Sequence, residues 1–150
     1  MLQKDYAAVY NQALRYLARR EHSQKELHFK LSNKGHDVAI VDVALALLKE
    51  RKLQSDERYA ELIFRTRLQS LNGPIKIKTE LSKKGVHLDI ITTLFSNNKV
   101  DWQHQSLLAF NKQYPMAIIQ KSSQKEKAKY MRFLTQRGFL SEHIYALLMD

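Results

Sequence analysis

Gly73-Pro74-Ile75-Lys76-Ile77-Lys78-Thr79-Glu80-Leu81-Ser82-Lys83-Lys84-Gly85 reads as a short helix with both ends marked. Proline fits the first helical turn, where its missing N–H would have no partner anyway. A glycine after Lys84 can take the left-handed conformation that closes a helix. Lys76, Glu80 and Lys83 share one face by their i, i+4, i+7 spacing. The closing word Leu81-Ser82-Lys83-Lys84-Gly85 occurs twice more, as Leu31-Ser32-Asn33-Lys34-Gly35 and Leu134-Thr135-Gln136-Arg137-Gly138. Each word runs leucine, hydroxyl, polar, basic, glycine. Six residues past the glycines stand Val41, Ile91 and Ile144, and ten past them Leu45, Phe95 and Leu148. Periods of 50 and 53 residues predict a three-helix unit used three times, over 1–52, 53–99 and 100–150. The expected fold is all-α, with three tandem three-helix repeats stacked into an elongated, curved array. The alternative is a compact nine-helix bundle whose helix ends agree by chance.

Helical periodicity runs along the rest of the chain. Tyr6, Tyr10, Ala13, Leu14 and Leu17 form the apolar stripe of a first helix. Ser23-Gln24-Lys25-Glu26 and Ser123-Gln124-Lys125-Glu126 are capping boxes. Ile40 to Leu48 predicts a helix apolar over most of its circumference, and so buried between neighbours. Ser55 or Asp56 opens a fourth helix, and Ser141 is read as the cap of the last. Pro115 breaks a helix carrying Trp102, Leu107, Phe110 and Tyr114, and Met116 to Lys121 fits no element clearly. Arg67 falls toward the apolar side of its helix, so it either pairs with a carboxylate or contacts a partner.

The net charge is +10, with 25 Lys/Arg against 15 Asp/Glu. The middle third is the most basic, with ten Lys/Arg against five Asp/Glu over 51–100. Such a surface attracts polyanions: nucleic acid, acidic protein grooves or membrane head groups. The absence of cysteine excludes disulfides and thiolate metal sites and fits a reducing cytoplasm. No apolar run approaches the roughly 18 residues of a membrane span, and the N-terminus lacks a signal-peptide core. A soluble cytoplasmic protein is the expectation. His22, His28, His36, His87, His104 and His143 include no ligand pair at metal-site spacing and are read as surface or turn residues. Asp56 and Glu57 sit where they favour a helix dipole. There is no Walker loop, GxGxxG or GxSxG. No catalytic residue, metal or cofactor is expected, and the chain is not read as an enzyme.

Arg19-Arg20-Glu21-His22-Ser23-Gln24-Lys25-Glu26-Leu27 resembles the R-x-x-S-x-x-E-L opening of the RecX family. Asp56-Glu57-Arg58-Tyr59-Ala60, Phe64-Arg65-Thr66-Arg67, Gly73-Pro74-Ile75-Lys76-Ile77 and Glu80 to Val86 resemble its central signature. Phe133 to Phe139 is similar to its C-terminal repeat. The likeness runs from about Ala13 to the end. Gln54 and Leu71 depart from it, standing where relatives often carry an apolar residue and a glycine.

The resemblance implies tandem three-helix repeats and a bacterial regulator of the RecA recombinase. Such a protein would lie in the groove of the RecA–DNA filament and suppress ATP hydrolysis, strand exchange and the coprotease activity behind the SOS response. It would touch single- or double-stranded DNA weakly or through the filament, keep away from membranes and act as a monomer. The candidate filament-binding residues are Arg15, Arg19, Arg58, Arg65, Arg67, Lys76, Lys83 and Lys84. The rival readings are a sequence-independent DNA-binding protein and a scaffold adaptor without a nucleic-acid role.

Overall fold

The computed structural model describes residues 2–149, and every regular element among them is helical. In order they are α1 (Leu2–Arg19), α2 (Gln24–Asn33), α3 (Val38–Glu50), α4 (Asp56–Gln69), α5 (Pro74–Lys83), α6 (Leu88–Asn97), α7 (Trp102–Gln113), α8 (Gln124–Gln136) and α9 (Ser141–Met149). A single 3-10 turn, Ile119–Lys121, occupies the last three residues of the stretch whose pattern fitted no element. The chain divides into two compact units, Met1–Leu62 with Leu81–Thr92, and Ile63–Glu80 with Thr93–Asp150.

The helix ends follow the local chemistry. Both capping boxes form: Ser23 Oγ accepts from Glu26 N at 3.1 Å and Ser123 Oγ from Glu126 N at 3.1 Å, while each glutamate accepts from its serine N–H. Ser55 Oγ accepts from Arg58 N, which makes Ser55 rather than Asp56 the cap of α4. His87 Nδ1 accepts from Asp89 N at the start of α6. Ser141 is not a cap: α9 already includes it, and Leu140 O accepts from His143 N and Ile144 N. The three repeated glycines all close helices in left-handed backbone, at φ +88, +81 and +92° for Gly35, Gly85 and Gly138. Their leucines, Leu31, Leu81 and Leu134, are fully buried, as are Val41, Ile91 and Ile144 six residues on. The words therefore mark one structural position, used three times.

In the first unit, Val9 and Ala13 of α1, Leu27 and Leu31 of α2, and Val41, Ala44, Leu45 and Leu48 of α3 form one core cluster. The first stripe is correct, with Tyr6, Tyr10, Leu14 and Leu17 packed at its margin. Helix α3 is less enclosed than its composition predicts, because Val38 and Val43 are exposed. Burying one face already satisfies its packing, and valine on the other is tolerated. Between α3 and α4, Lys52 takes φ +60°, where a side chain costs about 1–2 kcal/mol. Lys52→Gly is therefore expected to raise stability by roughly 0.5–1 kcal/mol, after the extra entropy glycine loses on folding, read as a higher urea midpoint at unchanged slope.

Gln54, one of the departures, is buried and bonded through both ends of its amide. Its Nε2 donates to His22 O at 3.1 Å and to Asp56 Oδ1 at 2.9 Å, and its Oε1 accepts from Gln24 Nε2 at 2.8 Å. Asp56 Oδ1 also accepts from Gln24 N, so the start of α4 is tied to the start of α2. Gln54→Leu would strip partners from buried groups and is expected to cost about 1–3 kcal/mol, measurable by denaturant unfolding.

The second unit contains a core of Ala109 and Phe110 of α7, Tyr130 and Leu134 of α8, Phe139, and Ile144 and Leu148 of α9. Leu71, the other departure, packs against this core and takes φ +60°. Its backbone strain is offset by an apolar contact that glycine could not make. Phe64, Phe95 and Trp102 meet with centroids 5.1 to 6.3 Å apart, and Lys78 Nζ lies 4.7 Å above the Phe95 ring.

Here α5 begins against the end of α8. Gly73 N donates to Arg137 O at 2.7 Å and Ile75 N to Gly138 O at 2.9 Å. A helix start with no capping side chain thus finds carbonyl acceptors in another element. The Arg137 guanidinium adds bonds to Ser70 O and Leu71 O. The backbones are close enough that a Cβ on Gly73 would overlap Gly138 and Phe139, and a Cβ on Gly138 would overlap Lys76.

Candidate functional site

The best-organised group of charges in the molecule is built on the carboxylate of Glu26. As the third residue of α2, Glu26 is held inward by its capping box. Its Oε1 accepts from Arg20 Nη1 at 3.1 Å and its Oε2 from Arg20 Nη2 at 3.0 Å, a two-pronged pair. Lys84, the basic residue before Gly85, brings Nζ to 3.5 Å from Glu26 Oε2. Gly85 itself lies over the first turn of α2, where a Cβ would stand 2.8 Å from Lys25 Cβ. Burial pushes the Glu26 carboxyl up, but the Arg20 bond, the Ser23 amide and the charges of Arg20 and Lys84 outweigh it. They hold the carboxyl at about 2.

Lys30, one turn further along α2, joins from the same side. Its Nζ is 2.9 Å from His22 Nε2 and 5.0 Å from the Tyr16 ring centroid. Burial lowers the Lys30 pKa, and the charges of Arg20, Lys84 and Arg19 lower it further, with Glu26 opposing. His22 lies in the turn between α1 and α2, one of the two places the sequence reading allowed, but it is 2% exposed and so not at the surface. Its Nδ1 lies 3.0 Å from Arg20 O. Burial, then the charges of Arg20 and Lys30, lower its pKa against the opposing pull of that backbone bond. The neutral ring donates from Nδ1 to the carbonyl and accepts the Lys30 proton at Nε2.

Arg20 and Lys84 thus meet on one carboxylate, and Lys30 and Arg19 lie near enough for their charges to bear on the group, a surplus of three positive charges. Of the eight sequence candidates, this brings together Arg19 and Lys84. Arg58 lies on Glu21 at 2.9 Å and on Lys52 O at 2.9 Å. Arg15 is exposed and donates to Gln12 Oε1 at 2.6 Å. Arg65 and Lys83 are exposed on α4 and α5. Arg67 makes a two-pronged pair with Glu80, 2.7 Å on each prong, the carboxylate pairing that its position on the helix called for. Lys76 is exposed, while its backbone abuts Gly138. Sequence reasoning passed over Arg20 and Lys30. The signal for Arg20 was present: it is the R, and Glu26 the E, of R-x-x-S-x-x-E-L.

Among the described residues no group of three or more His, Asp or Glu could hold a metal ion, and no helix is long and apolar enough to cross a membrane. The chain matches the family models for the RecX first three-helix domain over residues 10–48 and the RecX second three-helix domain over residues 55–93. It is 34% identical over 139 residues to a regulatory protein RecX of Halorhodospira halophila, covering 93% of this chain and 85% of the relative. It is 37% identical over 131 residues to one from Legionella pneumophila, covering 87% and 86%. The crystal structure of RecX from Lactobacillus salivarius superposes with a TM-score of 0.79 at 25% identity, over 97% of this chain and 95% of that one. The chain belongs to the RecX family of regulatory proteins.

Proposed function

We propose that the protein is a negative regulator of the RecA recombinase. It binds the RecA–DNA filament along its groove in the cytoplasm and lowers ATP hydrolysis, strand exchange and SOS coprotease activity without catalysing a reaction itself. The observation that carries this reading beyond family membership is the surplus of positive charge held in fixed positions around Glu26. A filament groove offers nucleic-acid phosphates and acidic protein surface, and fixed cations meet them with little ordering cost. The binding surface includes Arg15, Arg19, Arg58, Arg65, Arg67, Lys76, Lys83 and Lys84. It is carried by three helical repeats, over 1–52, 53–99 and 100–150. Inhibition follows by population shift, the protein favouring one filament state through contacts absent from the other.

Charge reversal of Lys83 and Lys84 together is the test on this surface. The folded variant is expected to need at least about tenfold more protein for half-inhibition of RecA ATPase, the loss of two contacts worth roughly 1 kcal/mol each. Inhibition unchanged from wild type would remove this end of α5 from the interface. A plain DNA-binding protein would instead bind DNA tightly without RecA and weaken by about 0.9 log units per phosphate contact per log of salt.

A further inference from the structure

Phe29 stands 66% exposed on α2, the helix that carries Glu26 and Lys30. It lies one turn past Lys25 and three residues past Glu26, so helical spacing sets its ring next to both. Lys25 is the residue covered by Gly85, and Glu26 is the residue reached by Lys84. An exposed ring beside a surplus of fixed cations is the combination used to hold unpaired nucleic acid: the cations follow the phosphates and the ring stacks on a base. Duplex DNA would use the cations alone, because its bases are already stacked.

We propose that Phe29, with Arg19, Arg20, Lys30 and Lys84, forms a contact site for single-stranded nucleic acid. This deepens the filament-directed reading above by giving its basic surface a nucleic-acid partner of its own. Arg20 and Lys84 each keep outward donors free of Glu26, since a guanidinium has five N–H groups and an ammonium three. Lys30 is steadied by His22 and Tyr16. Arg20, Lys30 and Lys84 are therefore pre-positioned, and a phosphate at them replaces water rather than reordering the site.

The test uses the full chain without RecA, and a fluorescent oligothymidylate against a duplex of the same length. Phe29→Ala changes an exposed residue and leaves every ion pair intact. It is expected to weaken oligothymidylate binding by about tenfold, the loss of one stacked base, and to leave duplex binding unchanged. Lys84→Gln is expected to weaken both and to flatten the salt dependence for the single strand by about 0.7 log units. Equal binding of oligothymidylate by wild type and Phe29→Ala would overturn the site. So would a Phe29→Ala variant that loses RecA inhibition while binding the oligonucleotide normally, because the face would then dock protein. RecA ATPase on the same variants separates the two proposals. Wild-type inhibition with Phe29-independent strand binding sinks only the strand site. Phe29-dependent strand binding without any RecA inhibition sinks only the regulatory reading.

Discussion

Gly138→Ala is expected to destabilise the protein by about 2–5 kcal/mol, roughly 1–2 for a side chain in left-handed backbone and about 1–3 for the overlap with Lys76. The second part is the larger because the atoms in the way include main chain. Lys76 cannot swing aside without moving the start of α5, whose Gly73 and Ile75 amides are bonded to Arg137 and Gly138 carbonyls. Gly73→Ala meets Gly138 and Phe139 main chain from the other side, and a similar cost is expected there without the left-handed component. Gly35 is the internal control. It has nearly the same φ as Gly138 but nothing within 4 Å of the missing Cβ. Gly35→Ala should therefore cost only about 1 kcal/mol. Urea unfolding of the two alanine variants side by side measures the difference. Equal losses would mean that the α5–α8 approach contributes nothing.

Glu26→Ala is expected to cost about 2–3 kcal/mol. About 1 kcal/mol is the lost cap, and the rest comes from leaving Arg20 and Lys84 beside each other without their carboxylate. The figure stays below that for a fully buried pair because both cationic side chains are 43% exposed, although Glu26 is only 9% exposed. The effect has a pH signature. The carboxyl titrates at its ordinary 4.5 when unfolded and at about 2 when folded. Its contribution is complete above pH 4.5 and is lost as the pH falls toward 2. The gap in stability between wild type and Glu26→Ala should close over that window. His22, whose pKa is lowered by folding, removes further stability as the pH drops below its ordinary 6.5. A gap that stayed constant from neutral pH to pH 2 would contradict the assigned pairing.

The helices were legible because their ends are local chemistry. A serine three residues before a glutamate, or a glycine after a basic residue, needs no tertiary partner to be read. The three like helix ends, each closed by a left-handed glycine, followed from the same signals. The side-chain ties were not legible, because they join distant residues: Gln54 with His22 and Gln24, Arg58 with Glu21, Gly73 with Arg137. Histidine type and spacing gave no sign that His22 is buried, since burial there depends on Tyr16 and Lys30 closing around it. The family words turn out to name mainly the residues that hold helices together. Arg20 pairs with Glu26, Arg67 with Glu80, and Gly73 approaches Gly138. Exposure, not membership of a motif, picks out the side chains available to a partner, and so Lys83, Arg65 and Phe29 remain outward.

RecA ATPase on single-stranded DNA, titrated with the purified protein at moderate salt, addresses the regulatory role itself. Progressive inhibition to a low plateau, at concentrations where the protein alone leaves the DNA largely unbound, is the predicted result. Unchanged hydrolysis at full occupancy, or inhibition that merely tracks competition for bare DNA, would contradict it.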